Sequence, residues 1–275
     1  MRQLILVALA AAGCTDIRNA AYCEKDRDCK NGKTCNLDTH GCDVAADAAP
    51  ADEDQGPFVA RTVQQVRDPE TPADTPVELL NVIVTAVDLY GNRTGEFWVQ
   101  QPGGGYDSGI KIFGAVKAEV ALLAVGDIID VLGGKKAFFT NAADLSGRRE
   151  ILVDPVTTLQ LVKKGTTATP VIAGMDWFLI SNKTGTELDE EREKWAGRLV
   201  RVTSITAAEA PMQIAADPTL LQFAVPAFYV QSLLTSFPVG VDAGTCFSSI
   251  TGVVEYNYNY NIQPRTTSDV VVGCP

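Results

Sequence analysis

Three tyrosines, Tyr256, Tyr258 and Tyr260, alternate with asparagines in the stretch VVEYNYNYNIQP, residues 253–264. On a flat strand, side chains at every second position share a face, and rings on one face can stack on bases or sugars. A chain reversal inside the stretch would undo that stripe, setting Tyr256 across from Tyr260 and leaving Tyr258 at the tip. Asparagine tolerates the left-handed backbone such a turn needs, so 257–259 is a candidate tip. A second group with chemical potential is the basic quartet Lys135, Lys136, Arg148 and Arg149, which flanks a hairpin loop. It reads either as a solvated hairpin or as a contact for an anion or nucleic acid.

Other constellations are weaker. The glycine run PGGGYDSG at 102–109 lacks the Lys-Ser/Thr ending and following helix of a phosphate-binding loop, so it reads as a turn. Asp26, Asp28 and Asp38 could touch a cation but lack the spacing of a calcium loop. The single histidine, His40, lies in the cysteine-rich segment and has no second imidazole to work with. The expectation is therefore a protein with no catalytic residues, no metal and no cofactor. A glycosidase, which needs only two carboxylates, is the enzyme class this reasoning leaves open. Residues 58–275 carry 24 acidic and 17 basic side chains, a net of −7. Proteins that hold nucleic acid by releasing counterions show a basic stripe instead, so nucleic acid is possible but not favoured.

The elements that would position these groups follow from the rest of the chain. MRQ supplies a positive charge, LILVALAAA a short apolar run, and AAGC small residues before Cys14, with segment 1–13 reading as a targeting signal. This resembles the signal peptide and lipobox of bacterial lipoproteins. The resemblance implies an acylated Cys14, a lipid bilayer as partner, and the outer membrane as location, because Thr15 rather than Asp follows. Ala11 stands where that family prefers Leu. Seven cysteines less Cys14 leave six, an even number suited to disulfides in an oxidising compartment. Cys23, Cys29, Cys35 and Cys42 form a module within 14–42, too small for a core of its own. Their spacing lacks the tight C-x2-C knuckles of zinc sites. An interleaved pairing, Cys23–Cys35 with Cys29–Cys42, is what a resemblance to small EGF-like or Dickkopf-like modules implies; the spacing itself permits three connectivities. Residues 43–57, rich in Ala, Asp and Pro, read as a solvated linker.

From Phe58 onward the pattern is β. Strands at VELLNVIVTAVD, GEFWVQQ and SGIKIFG precede a short helix carrying Val116, Val120 and Leu123, and strands at DIIDVLGG and REILVD follow. Three strands, a helix and two strands is the order of an OB barrel, and it recurs from WAGRLVRVTSI onward. In the second set Val230, Leu233, Leu234 and Phe237 are spaced for a helical face. TELDEEREKW, charged on nearly all sides, reads as a solvated linker helix capped by Thr186. The fold expected is all-β: two tandem OB-like barrels over 58–165 and 195–275, joined by a linker at 166–194. Because the fourth and fifth strands of such a barrel are neighbours, a Cys246–Cys274 bridge should clasp the last hairpin.

The segments VTAVDLYGNRTGEFWVQQPGGGYDSGIKIF, LAVGDIIDVLGG and WAGRLVRV…TGVVEYNYNYNIQPRTTSDV resemble the paired OB-like domains that accompany secreted bacterial nucleases. The resemblance covers roughly residues 60–275 and implies the fold, with no nuclease domain present. The function expected is a non-catalytic lipid-anchored envelope protein whose barrels bind another envelope protein or an extracellular polymer. The alternative is a surface lipoprotein that binds carbohydrate or nucleic acid.

Overall fold

The computed structural model describes residues 34–36, 41–43, 58–89, 95–139, 150–176 and 180–274. The chain forms two compact units, Met1–Gly56 and Pro57–Pro275. In the first, β1 (Thr34–Asn36) and β2 (Gly41–Asp43) pair antiparallel, and their register sets the backbone of Cys35 opposite that of Cys42.

The second unit opens with β3 (Ala60–Arg61) and a one-turn helix, α1 (Val63–Arg67). Thr62 and Gln65 cap that helix reciprocally, the side chain of each accepting the other's backbone N–H. The first barrel follows: β4 (Pro76–Val87), β5 (Phe97–Gln100), β6 (Gly109–Ile112), the short helix α2 (Lys117–Val120), β7 (Asp127–Phe139) and β8 (Glu150–Thr167). Its strands run in the order β4-β5-β6-β8-β7, and β4 pairs with β7 to close the ring. β6 and β8 are parallel while the other barrel pairs are antiparallel, which is the OB arrangement. One strand must serve two neighbours to close such a ring. β4 does so by bending: its register with β7 shifts on both sides of Leu79, and Asn81 takes a left-handed φ of 55°. Alternation then sends Val82, Val84, Phe97, Val99, Ile110 and Ile112 into the barrel core.

The second barrel repeats the strand plan without a helix between its third and fourth strands. A two-residue strand, β9 (Ala173–Gly174), and a helix, α3 (Gly185–Trp195), precede β10 (Leu199–Thr206), β11 (Met212–Ile214), β12 (Asp217–Val225), β13 (Phe228–Gln231), β14 (Cys246–Asn257), β15 (Asn259–Gln263) and β16 (Val270–Val272). β9 pairs parallel with β10, as β3 does with β4. The sheet order is β11-β12-β13-β15-β14-β10-β9, with β13 and β15 parallel. Here the bent first strand is split. β10 pairs with β14 and β11 with β12, the Ala208 N–H donating to the Ala224 carbonyl (2.9 Å) between them. Ser204 takes φ 52° in β10, echoing Asn81. Phe223 stacks on Phe247 (5.4 Å between ring centres) within a core that includes Val202, Val230, Val254 and Ile262.

The Cys246–Cys274 disulfide is present, with a Cα–Cα distance of 5.3 Å. Its setting differs in one detail from expectation. β16, rather than β15, lies beside the start of β14, so the bridge pins the chain end that follows a 3-10 turn (Thr267–Asp269). In the chain-entropy model a loop of this size contributes about 3 to 4 kcal/mol.

Two local expectations are corrected. The spacing of Val230, Leu233, Leu234 and Phe237 is not helical: Phe228–Gln231 is a strand and the chain bends after it. β-branched and aromatic residues at 228–230 favour a pleated surface, and the later apolar residues reach two different clusters from the bend. The charged helix begins at Gly185 with Thr184, not Thr186, at its N-cap, and it is not wholly solvated, because Glu193 and Trp195 are buried.

Candidate functional site

The tyrosine stretch is a hairpin. β14 and β15 pair so that Tyr256 faces Tyr260 and Asn257 faces Asn259, and Tyr258 sits between them with φ 64°. The two facing rings meet edge to face at 5.1 Å. Tyr260 is buried, its hydroxyl donating to Glu193 Oε2 at 2.7 Å. The asparagines also have structural work. Gln231 Nε2 donates to the Asn257 carbonyl (2.9 Å), Gln263 Nε2 donates to Gln231 Oε1 (3.0 Å), and Asn261 Nδ2 donates to the Asn259 carbonyl (2.7 Å). This buried amide ladder explains why polar residues alternate with the tyrosines: every buried amide needs a partner.

What remains accessible is a small pocket of about 140 Å³ lined by Asp189, Arg192, Tyr229, Tyr256, Asn259 and Tyr260. α3 supplies its charged wall. The Arg192 guanidinium lies over the rings of Phe228 (5.6 Å) and Tyr260 (5.8 Å), its Nε donates to the Ala227 carbonyl (2.7 Å), and Nη1 pairs with Asp189 (3.2 Å). Those contacts hold a planar donor beside the tyrosine hairpin.

A second feature is the seam between the barrels. OB barrels commonly take oligonucleotides or oligosaccharides on the outer face of their second and third strands. In the first barrel those are β5 and β6, whose outward residues are Trp98, Gln100 and Lys111, and all three are buried. Trp98 sits in one apolar cluster with Leu199, Leu220, Leu234 and Val253 of the second barrel. Lys111 is ion-paired with Glu255 on β14 and with Glu96 (2.8 Å), and its ammonium lies 5.5 Å from the Trp98 ring centre. Nearby, Arg67 on α1 pairs with Asp107 (3.3 Å) and with Glu193 on α3 (3.2 Å), so the same Glu193 joins both barrels and the tyrosine hairpin. Arg198 stacks on Trp195 at 4.6 Å and on Tyr106 at 5.6 Å along the same line.

The basic quartet divides. Lys136 is fully buried, its Nζ donating to the carbonyls of Asp68 (2.8 Å) and Thr71 (2.7 Å), so it holds a loop and cannot meet a ligand. Strand alternation is the reason: of two adjacent lysines on β7, one must point inward. Lys135 pairs with Asp74 at 2.7 Å, and that hydrogen bond raises its pKa. Arg148 and Arg149 lie outside the described residues, as do Cys14, Cys23, Cys29, His40, Asp26, Asp28 and Asp38 and the side chains of Cys35 and Cys42. The glycine run is the connection between β5 and β6, as expected. Missed by sequence reasoning were Arg192 and Tyr229 at the pocket and Lys111, Glu255, Arg67 and Glu193 at the seam. Isolated charges inside apolar strands, as in GIKI and VVEY, were the available signal for the seam pair.

No family model matches the chain, and no curated protein matches it. Among solved structures it is similar to a replication protein A heterotrimer bound to single-stranded DNA, at 12% identity over 71% of this chain and 48% of that one, with a TM-score of 0.28. It spans about half the length of that protein. It is also similar to the Ifi202 HINa domain in complex with 20-bp double-stranded DNA, at 12% identity over 71% of this chain and 97% of that one, with a TM-score of 0.27. A third similar structure is described as the molecular basis for abrogation of activation of pro-inflammatory cytokines, at 10% identity over 70% and 91%, with a TM-score of 0.27. The OB assignment stands on the strand order and register given above.

Proposed function

We propose that this chain is a non-catalytic binding protein of the cell envelope, anchored by an acylated Cys14, which presents its double barrel to another envelope protein or an extracellular polymer. One observation carries the binding mode. The β5–β6 outer face of the first barrel, where an isolated OB barrel would take a strand of nucleic acid, lies beneath the second barrel. The two barrels therefore offer one rigid composite surface rather than two separate grooves. Its acidic balance, 24 acidic against 17 basic residues over 58–275, favours a protein partner over a polyphosphate.

The test is crosslinking in intact cells, followed by detergent extraction and purification of the full chain. A partner recovered in fixed proportion supports the reading. Recovery of the chain alone after efficient crosslinking counts against it. Intact mass with peptide mapping of the same material reads the anchor directly: a Cys14 peptide without fatty acid removes the envelope location.

A further inference from the structure

We infer that the pocket beside the tyrosine hairpin is a subsite for one ring of a neutral sugar chain. A guanidinium has five N–H donors; Arg192 uses one on the Ala227 carbonyl and one on Asp189, which leaves three without a hydrogen-bond partner among the described residues. The hydrogen bonds to Ala227 and Asp189 and the contacts with the Phe228 and Tyr260 rings hold the guanidinium in place before a ligand arrives, so less ordering entropy opposes binding. Beside these donors stand acceptors, the Asp189 carboxylate and the Asn259 amide, with the Tyr229 and Tyr256 phenols as walls.

A ligand here must meet donors and acceptors side by side. A phosphate only accepts, and it would face the Asp189 carboxylate that already neutralises Arg192. A basic side chain only donates, and it would face Arg192 itself. A sugar hydroxyl does both, with one donor and two acceptor positions on each oxygen. Vicinal hydroxyls on one ring can therefore serve Arg192 and Asp189 together. The C–H face of such a ring suits the electron-rich face of a phenol. Size sets how much enters: about 140 Å³ is the room of about four or five waters, less than a whole hexose, so the pocket takes the hydroxyl-bearing edge of one ring while the rest stays in solvent. The charge in the pocket, one Arg against one Asp, matches a neutral ligand.

This rests on the binding reading above and narrows the extracellular polymer to a glycan. The experiments separate the two, since a protein partner found by crosslinking would stand even with this pocket empty. The test is a printed array of neutral glycans probed with the full chain, run beside filter binding of poly(dT). Wild-type protein should be retained on a glycan subset, with Arg192→Met and Asn259→Ala each weakening retention at least tenfold. Asn259 is exposed at the hairpin, so its variant should keep the wild-type melting midpoint and separates ligand loss from misfolding. No retained glycan, retention unchanged in both variants, or salt-sensitive poly(dT) binding that Asn259→Ala abolishes would each overturn the inference.

Discussion

The backbones of Gly109 and Gly197 meet across the seam between the barrels. A Cβ on Gly109 would lie 2.3 Å from the Gly197 carbonyl carbon, and one on Gly197 would lie 2.5 Å from the corresponding atom of Gly109. Both obstacles are main chain, so no rotamer change can relieve them. Gly197 also has φ 77°, a conformation L side chains rarely adopt.

Gly109→Ala and Gly197→Ala should therefore each destabilise the double barrel by about 2 to 3 kcal/mol, as overpacking does in cores. In urea the wild type should unfold in one transition and the variants in two, as the barrels uncouple. A midpoint within experimental error of wild type for Gly109→Ala would remove the seam from the account.

The Lys111–Glu255 pair makes a contrast between single and double variants. Lys111→Met leaves the Glu255 carboxylate buried without this cation, and stranding a buried charge costs about 3 to 5 kcal/mol. Lys111→Met with Glu255→Leu removes the buried pair and leaves only Glu96, a quarter exposed, without its cation, so most of the lost stability should return. Equal losses in the single and double variants, measured by denaturant titration, would mean that the pair contributes packing rather than charge.

Asp154 on β8 gives a dependence on pH. Burial raises its pKa, attraction to Lys135 opposes that, and repulsion from Asp74 adds to it. A carboxyl whose folded pKa exceeds its unfolded value lowers stability when ionised, so it detracts at neutral pH, and that loss fades as pH falls through the folded pKa. Asp154→Asn should consequently stabilise the protein at pH 7, with a gain that shrinks toward zero near pH 3. Melting midpoints across that range read the effect, and a gain that grows on acidification contradicts it.

Ser204 and Asn81 occupy left-handed backbone in the first strands of their barrels, at φ 52° and 55°. That conformation costs an L residue about 1 to 2 kcal/mol, with Asn penalised less. Ser204→Gly should raise stability by about 0.5 kcal/mol after the added freedom of the unfolded chain is subtracted, and Asn81→Gly by less. Chemical denaturation of the two variants with Ser204→Ala as control measures this, and a loss on Ser204→Gly would show the hydroxyl matters more than the backbone.

Much of the barrel plan was legible because it is written in short-range pattern. The alternation in VELLNVIVTAVD marks a strand wherever it packs, and the asparagines around Tyr258 mark a turn without help from distant residues. The Cys246–Cys274 pairing was legible from the even cysteine count, although the strand beside Cys246 is β16 rather than the hairpin partner β15. The helical spacing after Val230 misled because the same apolar residues serve a strand and a bend that feed two clusters.

What the sequence by itself determined is the all-β plan, the recurrence of the strand order and the hairpin that places Tyr256 against Tyr260, since each rests on periodicity or turn chemistry within a few residues. Only the tertiary structure decided which charges are buried and which surface is open. Lys111 and Glu255 stand 144 residues apart, and Arg67 and Glu193 stand 126 apart. No local rule distinguishes Glu193 from its solvated neighbours in TELDEEREKW. Its burial depends on an arginine and a tyrosine that the folded chain brings to it, and desolvation is a property of the surroundings rather than of the residue.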